Sequence, residues 1–240
     1  MSAVERNTVP GASPRLRISV IVPALDEAAQ IVAALDSARA PGAVERIVVD
    51  GGSRDATVAL ARATGAMVID SPPGRARQMN AGAACACGDV LLFLHADTRL
   101  PAGFDAAVSA ALADRQTVGG RFDLSLQPSS PLLALTATLI NLRSRLSGIA
   151  TGDQALFVRR EVFERMGGFA AVPLMEDVAF TRDLKRYGRS AALRARVTTS
   201  SRRWRKDGVV RTVLLMWWLR FLYWRGVTPD VLKRRYADTR

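Results

Sequence analysis

Apolar residues along this chain fall into two alternating patterns, short unbroken runs and longer stretches at helical spacing. Ile18 to Val22 is a continuous, mostly β-branched run, as in a strand buried on both faces. Asp26 and Glu27 open a helical stretch reaching about Ala40, where Pro41-Gly42 breaks it. Arg46 to Val49 predicts a second strand, Thr57 to Thr64 a helix stopped by Gly65, and Met67 to Ile69 a short third strand. Arg75 to Cys87 predicts a helix ended by Gly88, followed by a buried strand from Val90 to Leu94. Strands spaced by helices of about ten residues make βαβ units. The pattern therefore predicts an α/β fold, a doubly wound, mostly parallel central sheet flanked by helices.

Beyond Pro101 the regularity loosens. Helices are predicted near Phe104 to Leu112, Pro131 to Leu146, Glu161 to Met166 and Glu176 to Tyr187, with strands at Gly120 to Leu126 and Ala155 to Val158. No internal repeat or low-complexity linker divides the chain. The expected organisation is a flexible leader over 1–17, one domain with an elaborated second half over 18–206, and an apolar, basic helical segment over 207–240.

Composition narrows the class. The chain has 240 residues, 49% apolar and 23% charged, which is globular rather than disordered. Cys85 and Cys87 are its only cysteines, too close together for a disulfide framework; they read as small packing residues in a reducing compartment. Charge is uneven. The net charge is +12, and between Ser200 and Arg240 lie 11 basic and three acidic residues. Nucleic acid, an anionic membrane surface and a phosphorylated substrate are all partners that such an excess suits.

No signal-peptide core precedes the first strand, and no uncharged apolar run approaches the roughly 20 residues of a spanning helix. The expectation is a cytoplasmic protein. Val209 to Trp224 mixes Trp217, Trp218, Phe221 and Trp224 with Arg211, Arg220 and Arg225. That mixture suits either a core or dimer-packing helix or one lying on the inner face of the membrane as a peripheral anchor.

Four acidic clusters follow buried segments: Asp26-Glu27, Asp50 with Asp55, Asp97, and Glu176-Asp177. In open α/β sheets ligands bind beyond the carboxyl ends of the strands, and carboxylates there suit metal or hydroxyl contacts. Any one of them could instead cap a helix, and Asp55 reads first as a cap. Val49-Asp50-Gly51-Gly52-Ser53-Arg54-Asp55 places a carboxylate at a strand end and then a tight glycine turn. Such a loop suits a nucleoside against Asp50, with turn amides near phosphate.

Pro23-Ala24-Leu25-Asp26-Glu27, the Asp50 to Thr57 run, Gly74-Arg75-Ala76-Arg77-Gln78-Met79-Asn80-Ala81-Gly82 and Phe93-Leu94-His95-Ala96-Asp97-Thr98 together resemble a family 2 glycosyltransferase, in the family's order and approximate spacing. The likeness is greatest to a short bacterial group associated with radical-SAM and selenium-related genes, and it runs from about Ile18 to Trp204. It implies a GT-A fold, a nucleotide-diphosphate sugar donor, UDP-linked in the first instance, a divalent Mn²⁺ or Mg²⁺, and inversion at the anomeric carbon.

Carried over by position, the resemblance assigns donor binding to Pro23, Ala24, Leu25, Glu27, Asp50, Gly52, Ser53, Arg75, Arg77, Asn80 and Ala96. Asp26 stands where the family more often has Asn. Asp97 matches the last carboxylate of the metal motif. Two residues earlier the usual acid is His95, either a nitrogen donor, which suits Mn²⁺ better than Mg²⁺, or a histidine satisfied at the strand end without a metal. Glu176 and Asp177 match the motif whose aspartate is the catalytic base, while as plain sequence they are acidic first-turn residues favoured by a helix dipole. Asp153 and Gln154 resemble the loop beside the acceptor site. Arg203 and Trp204 match the end of a further motif that touches donor or acceptor in some members, which places them beside the acceptor, with Ser200 replacing the expected glutamine.

Two other classes remain open on sequence alone. A nucleotidyltransferase would share the fold, yet it would carry a glycine-rich basic loop after the first strand, where Pro23 to Glu27 is acidic and glycine-free. A basic membrane or nucleic-acid binding protein on a disabled scaffold would explain the charged end. Nucleic acid is the weaker partner, because the aromatics concentrate in one apolar helix. The acceptor is unassigned, with a lipid among the candidates.

Overall fold

The computed structural model describes residues 16–238, so nearly all of the leader lies outside the described residues. The first half is the repeating unit that the pattern predicts. β1 (Ile18–Ala24), β2 (Ala43–Asp50), β3 (Met67–Asp70) and β4 (Val90–Phe93) run parallel, with β1 between β2 and β4. They are joined by α1 (Ile31–Ser37), α2 (Thr57–Ala63) and α3 (Arg75–Cys85). Every residue of β1 is buried, which accounts for its unbroken apolar run.

The second half is mixed. It comprises β5 (Thr98–Arg99), α4 (Phe104–Ala111), β6 (Thr117–Gln127), α5 (Pro131–Ser147), a 3₁₀ turn (Gly152–Gln154), β7 (Leu156–Arg159), α6 (Arg160–Met166), α7 (Glu176–Leu184), β8 (Arg189–Ser200), α8 (Arg202–Asp207), α9 (Val209–Trp224) and α10 (Pro229–Asp238). The sheet order is β3-β2-β1-β4-β7-β6-β8-β5. β6 and β8 are parallel, whereas β4–β7, β6–β7 and β5–β8 are antiparallel. Apolar cores lie on both faces of the sheet.

Three expectations are corrected. The helix expected from Asp26 begins only at Ile31, because the intervening backbone is hydrogen-bonded to the neighbouring loop. β8 was not predicted: only Val197 and Thr199 in it are fully buried, too few for a visible alternation. Cys85 and Cys87 are exposed rather than packed, and the Cys87 Sγ accepts a hydrogen bond from Arg17 at 3.3 Å.

Two close fits position the site. A side chain at Gly82 would place its Cβ 2.5 Å from Ile21 Cγ2, so α3 lies hard against β1 and β2. α5 is fastened to β6 by Asn141, whose Oδ1 accepts from the Leu124 N–H at 2.9 Å and whose Nδ2 donates to the Leu124 carbonyl at 3.0 Å. Asn141 thus replaces a neighbouring strand at that point. Asp123 pairs with both Arg121 and Arg145, the latter at 2.7 Å. Asn141→Leu should strand two buried backbone groups and cost about 1–3 kcal/mol. Urea unfolding measures it, and an unchanged midpoint would mean that α5 is held otherwise.

With its inner side so fixed, α5 turns Leu132, Leu135, Leu139, Leu142 and Leu146 outward, 45% to 80% exposed. α9 is mostly apolar on both its inner and outer sides, interrupted by Arg211 and Arg220. Leu215, Leu219 and Leu222 pack with Met175, Val178 and Leu232, while Val210, Leu214, Trp217, Trp218, Phe221 and Trp224 are exposed. No described helix is long and apolar enough to cross a membrane.

Candidate active site

Two loops at the carboxyl ends of β1 and β2 are laced together. The backbone N–H groups of Asp26, Glu27 and Ala28 donate to Ser53 Oγ, Thr57 Oγ1 and Asp55 Oδ2, at 3.0, 2.8 and 3.0 Å. In return Asp26 Oδ1 accepts from the Arg54 N–H at 2.7 Å. Asp55 also accepts from the Thr57 hydroxyl and, at 2.9 Å, from the Thr57 N–H, so it bonds the first residue of α2 although Ala56 is the cap residue. The hydroxyl bond first, then the backbone bonds from Thr57 and Ala28, hold its carboxyl below the usual range. Behind the loops, Gln78 Nε2 donates to the carbonyls of Ala24 at 2.9 Å and Val49 at 2.8 Å, tying the two strand ends together. Gln78 was not anticipated as a site residue.

Asp50 turns into its own loop. Its Oδ2 accepts from the N–H groups of Gly52 and Ser53, both at 3.0 Å, and its Oδ1 from Ser53 Oγ at 2.5 Å. Gly52 has φ of +95°, the left-handed turn that glycine admits freely. Pro23 and Ala24 are buried strand residues, Ala96 is buried, and Leu25 is 46% exposed at the loop tip.

Beside these loops a charged centre forms from parts far apart in sequence. Burial and the neighbouring Asp97 raise the Glu27 carboxyl, opposed by Arg202, whose Nη2 lies 3.5 Å from Glu27 Oε2, and by Arg75. Asp153 is raised by burial and by Asp177 and Asp97, against the pull of Thr151 and Arg143. Glu176 is pushed up to about 7 by burial and by Asp177, with Arg75 opposing. Asp177 is raised by burial, although its Oδ2 accepts from the Gly152 N–H at 2.8 Å and its Oδ1 from the Val178 N–H at 2.7 Å. Glu27, Asp97, Asp153, Glu176 and Asp177 therefore share one field with Arg75, Arg143 and Arg202.

Arg143 and Arg202 are the members that sequence reasoning missed. Arg143, on α5, turns its buried Nε and Nη2 to no partner, and Asp153 Oδ1 is likewise buried and unpartnered. His95 lies under the turn that carries Gly152: a Cβ there would meet its Nε2 at 2.4 Å. Burial and Arg75 push the His95 pKa down to about 3, so its ring is neutral.

Other expected residues take different places. Arg77 is exposed on α3, on a different side of the helix from Arg75. Asn80 spends its amide on Phe169, donating to the carbonyl at 2.8 Å and accepting from the N–H at 2.9 Å. Gln154 is fully buried and donates to the Phe122 carbonyl at 3.4 Å. Trp204 packs against the main core, and the side chain of Arg203 lies outside the described residues.

Among the described residues, the non-glycine positions with positive φ are Asp26, Ala155 and Met175. They sit in the Asp26 loop, after the Gly152 turn and before Glu176, so left-handed backbone gathers around this centre.

Glu176 sets a test. With its carboxyl raised from 4.5 to about 7 in the folded chain, its contribution to stability is complete at low pH and is lost as pH rises through about 7. Glu176→Gln should therefore stabilise the protein by up to about 3 kcal/mol at about pH 8 and change little at about pH 5. Thermal unfolding at both pH values checks it; an equal shift at both would contradict it.

The sequence profile of "Glycosyl transferase family 2" matches residues 19–167. No curated relative matches the sequence. Solved structures of similar fold include the mannosyltransferase PcManGT from Pyrobaculum calidifontis in complex with GDP-Man and Mn²⁺, at 24% identity and TM-score 0.61 over 80% of this chain and 59% of that one. Another is glucosyl-3-phosphoglycerate synthase from Mycobacterium tuberculosis in complex with Mn²⁺, UDP and glucosyl-3-phosphoglycerate, at 23% identity and TM-score 0.57 over 75% of this chain and 70% of that one. S. aureus TarS matches at 18% identity and TM-score 0.61, over 77% of this chain and 37% of its own. These likenesses show a shared GT-A-like fold. This chain spans 59% of the mannosyltransferase's length.

Proposed function

The chain belongs to glycosyl transferase family 2, and on that premise we propose that it is a metal-dependent, inverting enzyme. It moves a sugar from a nucleotide-diphosphate donor, UDP-linked in the first instance, to an acceptor hydroxyl. The observation that carries this reading is the meeting of Glu27, Asp97, Asp153 and Asp177 with Arg75, Arg143 and Arg202 beyond the strand ends. GDP-Man, UDP and Mn²⁺ in the complexes of the similar structures support the donor class and the cation.

The nucleoside lies against the Pro23 to Glu27 and Asp50 to Ser53 loops, and Arg75 faces the diphosphate, where a guanidinium fork matches phosphate oxygens. Asp177 takes the proton of the attacking hydroxyl. Its two backbone hydrogen bonds fix the carboxylate, and burial raises its affinity for a proton, as a base working near neutral pH needs. In-line attack from that side inverts the anomeric carbon.

The donor atoms suit a cation shared with substrate. Among the described residues no group of three or more His, Cys, Asp or Glu side chains forms a protein cage. Asp97 is half-buried in a field made negative by Glu27 and Asp153, which fits an ion held by one carboxylate and by phosphate oxygens. Asp97 would hold such a cation, Mn²⁺ or Mg²⁺, which when bound would offset charge on the departing diphosphate. We assign His95, whose ring faces Gly152, to holding that turn rather than to the metal.

In this reading residues 18–206 are the catalytic unit, and the resemblance to the group with radical-SAM and selenium-related neighbours belongs to it. The protein works in the cytoplasm and attaches through Val209–Trp224 to the inner membrane face, where lipid acceptors lie. A screen of nucleotide sugars for nucleotide release tests the function, with the anomeric configuration of the product read by NMR. Release from no donor, or retention of configuration, would contradict it.

A further inference from the structure

The outward leucines of α5, Leu132, Leu135, Leu139, Leu142 and Leu146, repeat at three- and four-residue steps as one stripe along the helix. The exposed side of α9 repeats in the same way, and the two helices touch. Val210, Arg211, Leu214, Leu215 and Trp218 line an open apolar groove of about 480 Å³ on α9. Contiguous apolar surface of this kind marks an interaction site.

We propose that α5 and α9 form one docking face for an anionic lipid bilayer. The inference rests on the α9 anchor proposed above and adds α5 to it. Charge chooses the occupant. Three of the chain's four tryptophans lie on this face, Arg235 sits over the Trp218 ring at 5.3 Å, and Lys233 and Arg234 are exposed on the same helix, α10. Aromatic side chains with a cationic rim match the boundary between acyl chains and anionic head groups. A second copy docked through the same face would set two segments against each other, each with 11 basic and three acidic residues.

The face is joined to the chemistry. The inner side of α9 packs on Met175 and Val178, which flank Glu176 and Asp177. Arg143 lies on α5 one turn from Leu139 and Leu146 and is electrostatically coupled to Asp153 and Asp177. A bilayer on this face therefore borders the helix that reaches the candidate base.

The test is cosedimentation with vesicles of equimolar phosphatidylcholine and phosphatidylglycerol, and with vesicles of phosphatidylcholine alone. Wild type should bind the anionic vesicles and bind the neutral ones far less. Leu135→Gln/Leu142→Gln should weaken binding roughly tenfold while leaving nucleotide release from donor unchanged. Leu146→Gln, at the 80% exposed position, replaces the double variant if that one unfolds. If the α5 variants bind like wild type while Trp217→Gln/Trp218→Gln does not, the inference fails and the α9 anchor stands. Poor capture of every form overturns both. A wild-type dimer in light scattering that the α5 variants convert to monomer overturns the inference in favour of self-association.

Discussion

Asp177→Asn should lower kcat for sugar transfer by about 10²–10⁴-fold, with nucleotide affinity unchanged. The carboxylate sits at the start of α7, tethered through both oxygens to the N–H groups of Gly152 and Val178. An amide keeps the size but cannot take a proton from the acceptor, and it must face one of those N–H groups with its own NH₂. The loss should therefore fall on kcat rather than on donor binding, which we propose uses the loops after β1 and β2. The substitution also removes a charge that raises Glu176, so that carboxyl should titrate lower in the variant. A kcat within about tenfold of wild type would move the base elsewhere.

Gly152→Ala carries the second large effect. Its Cβ would stand 2.4 Å from His95 Nε2 and 2.8 Å from Cε1, so either the ring or the turn must move. The same residue donates the N–H that holds Asp177, and a shifted turn would misplace the proposed base. We expect a loss of about 1–3 kcal/mol in stability from overpacking. A drop in kcat of roughly 10²-fold should accompany it, the scale of a misplaced catalytic group. His95→Ala should relieve the clash, so Gly152→Ala/His95→Ala should be more stable than the sum of the single costs predicts. Chemical unfolding of all four forms of this cycle decides the point; strictly additive costs would mean that the two residues are not in contact.

The first half of the fold was legible because the strands from β1 to β4 carry short apolar runs closed by proline or a polar residue: Pro23, Asp50, Asp70 and His95. The same grammar marked Asp50, Asp97 and Glu176-Asp177, since carboxylates directly after apolar runs stand out. What escaped was set by tertiary contact. β8 carries Arg194 and Arg196 and buries only Val197 and Thr199 completely, so its register comes from pairing with β6 rather than from its own pattern. Arg143 looks like any helix-surface arginine until α5 is fastened by Asn141 and turned toward Asp153. Gln78 is one residue of a helix until its amide meets two strand ends. Asn80 shows the reverse: its motif suggests donor contact, and its amide is committed to Phe169. For Val209–Trp224 the sequence allowed packing or an interface, and the helix has one face buried and the other exposed.

The proposed chemistry requires donor nucleotide and a divalent cation to bind together at Asp97, beside the proposed base. Isothermal titration of UDP and of GDP into wild type and Asp97→Asn, each with Mn²⁺ and again with chelator, addresses it without requiring the acceptor. Mn²⁺ should tighten nucleotide binding to wild type by at least about tenfold, and Asp97→Asn should abolish this gain. Tight binding indifferent to both chelator and substitution would contradict this requirement.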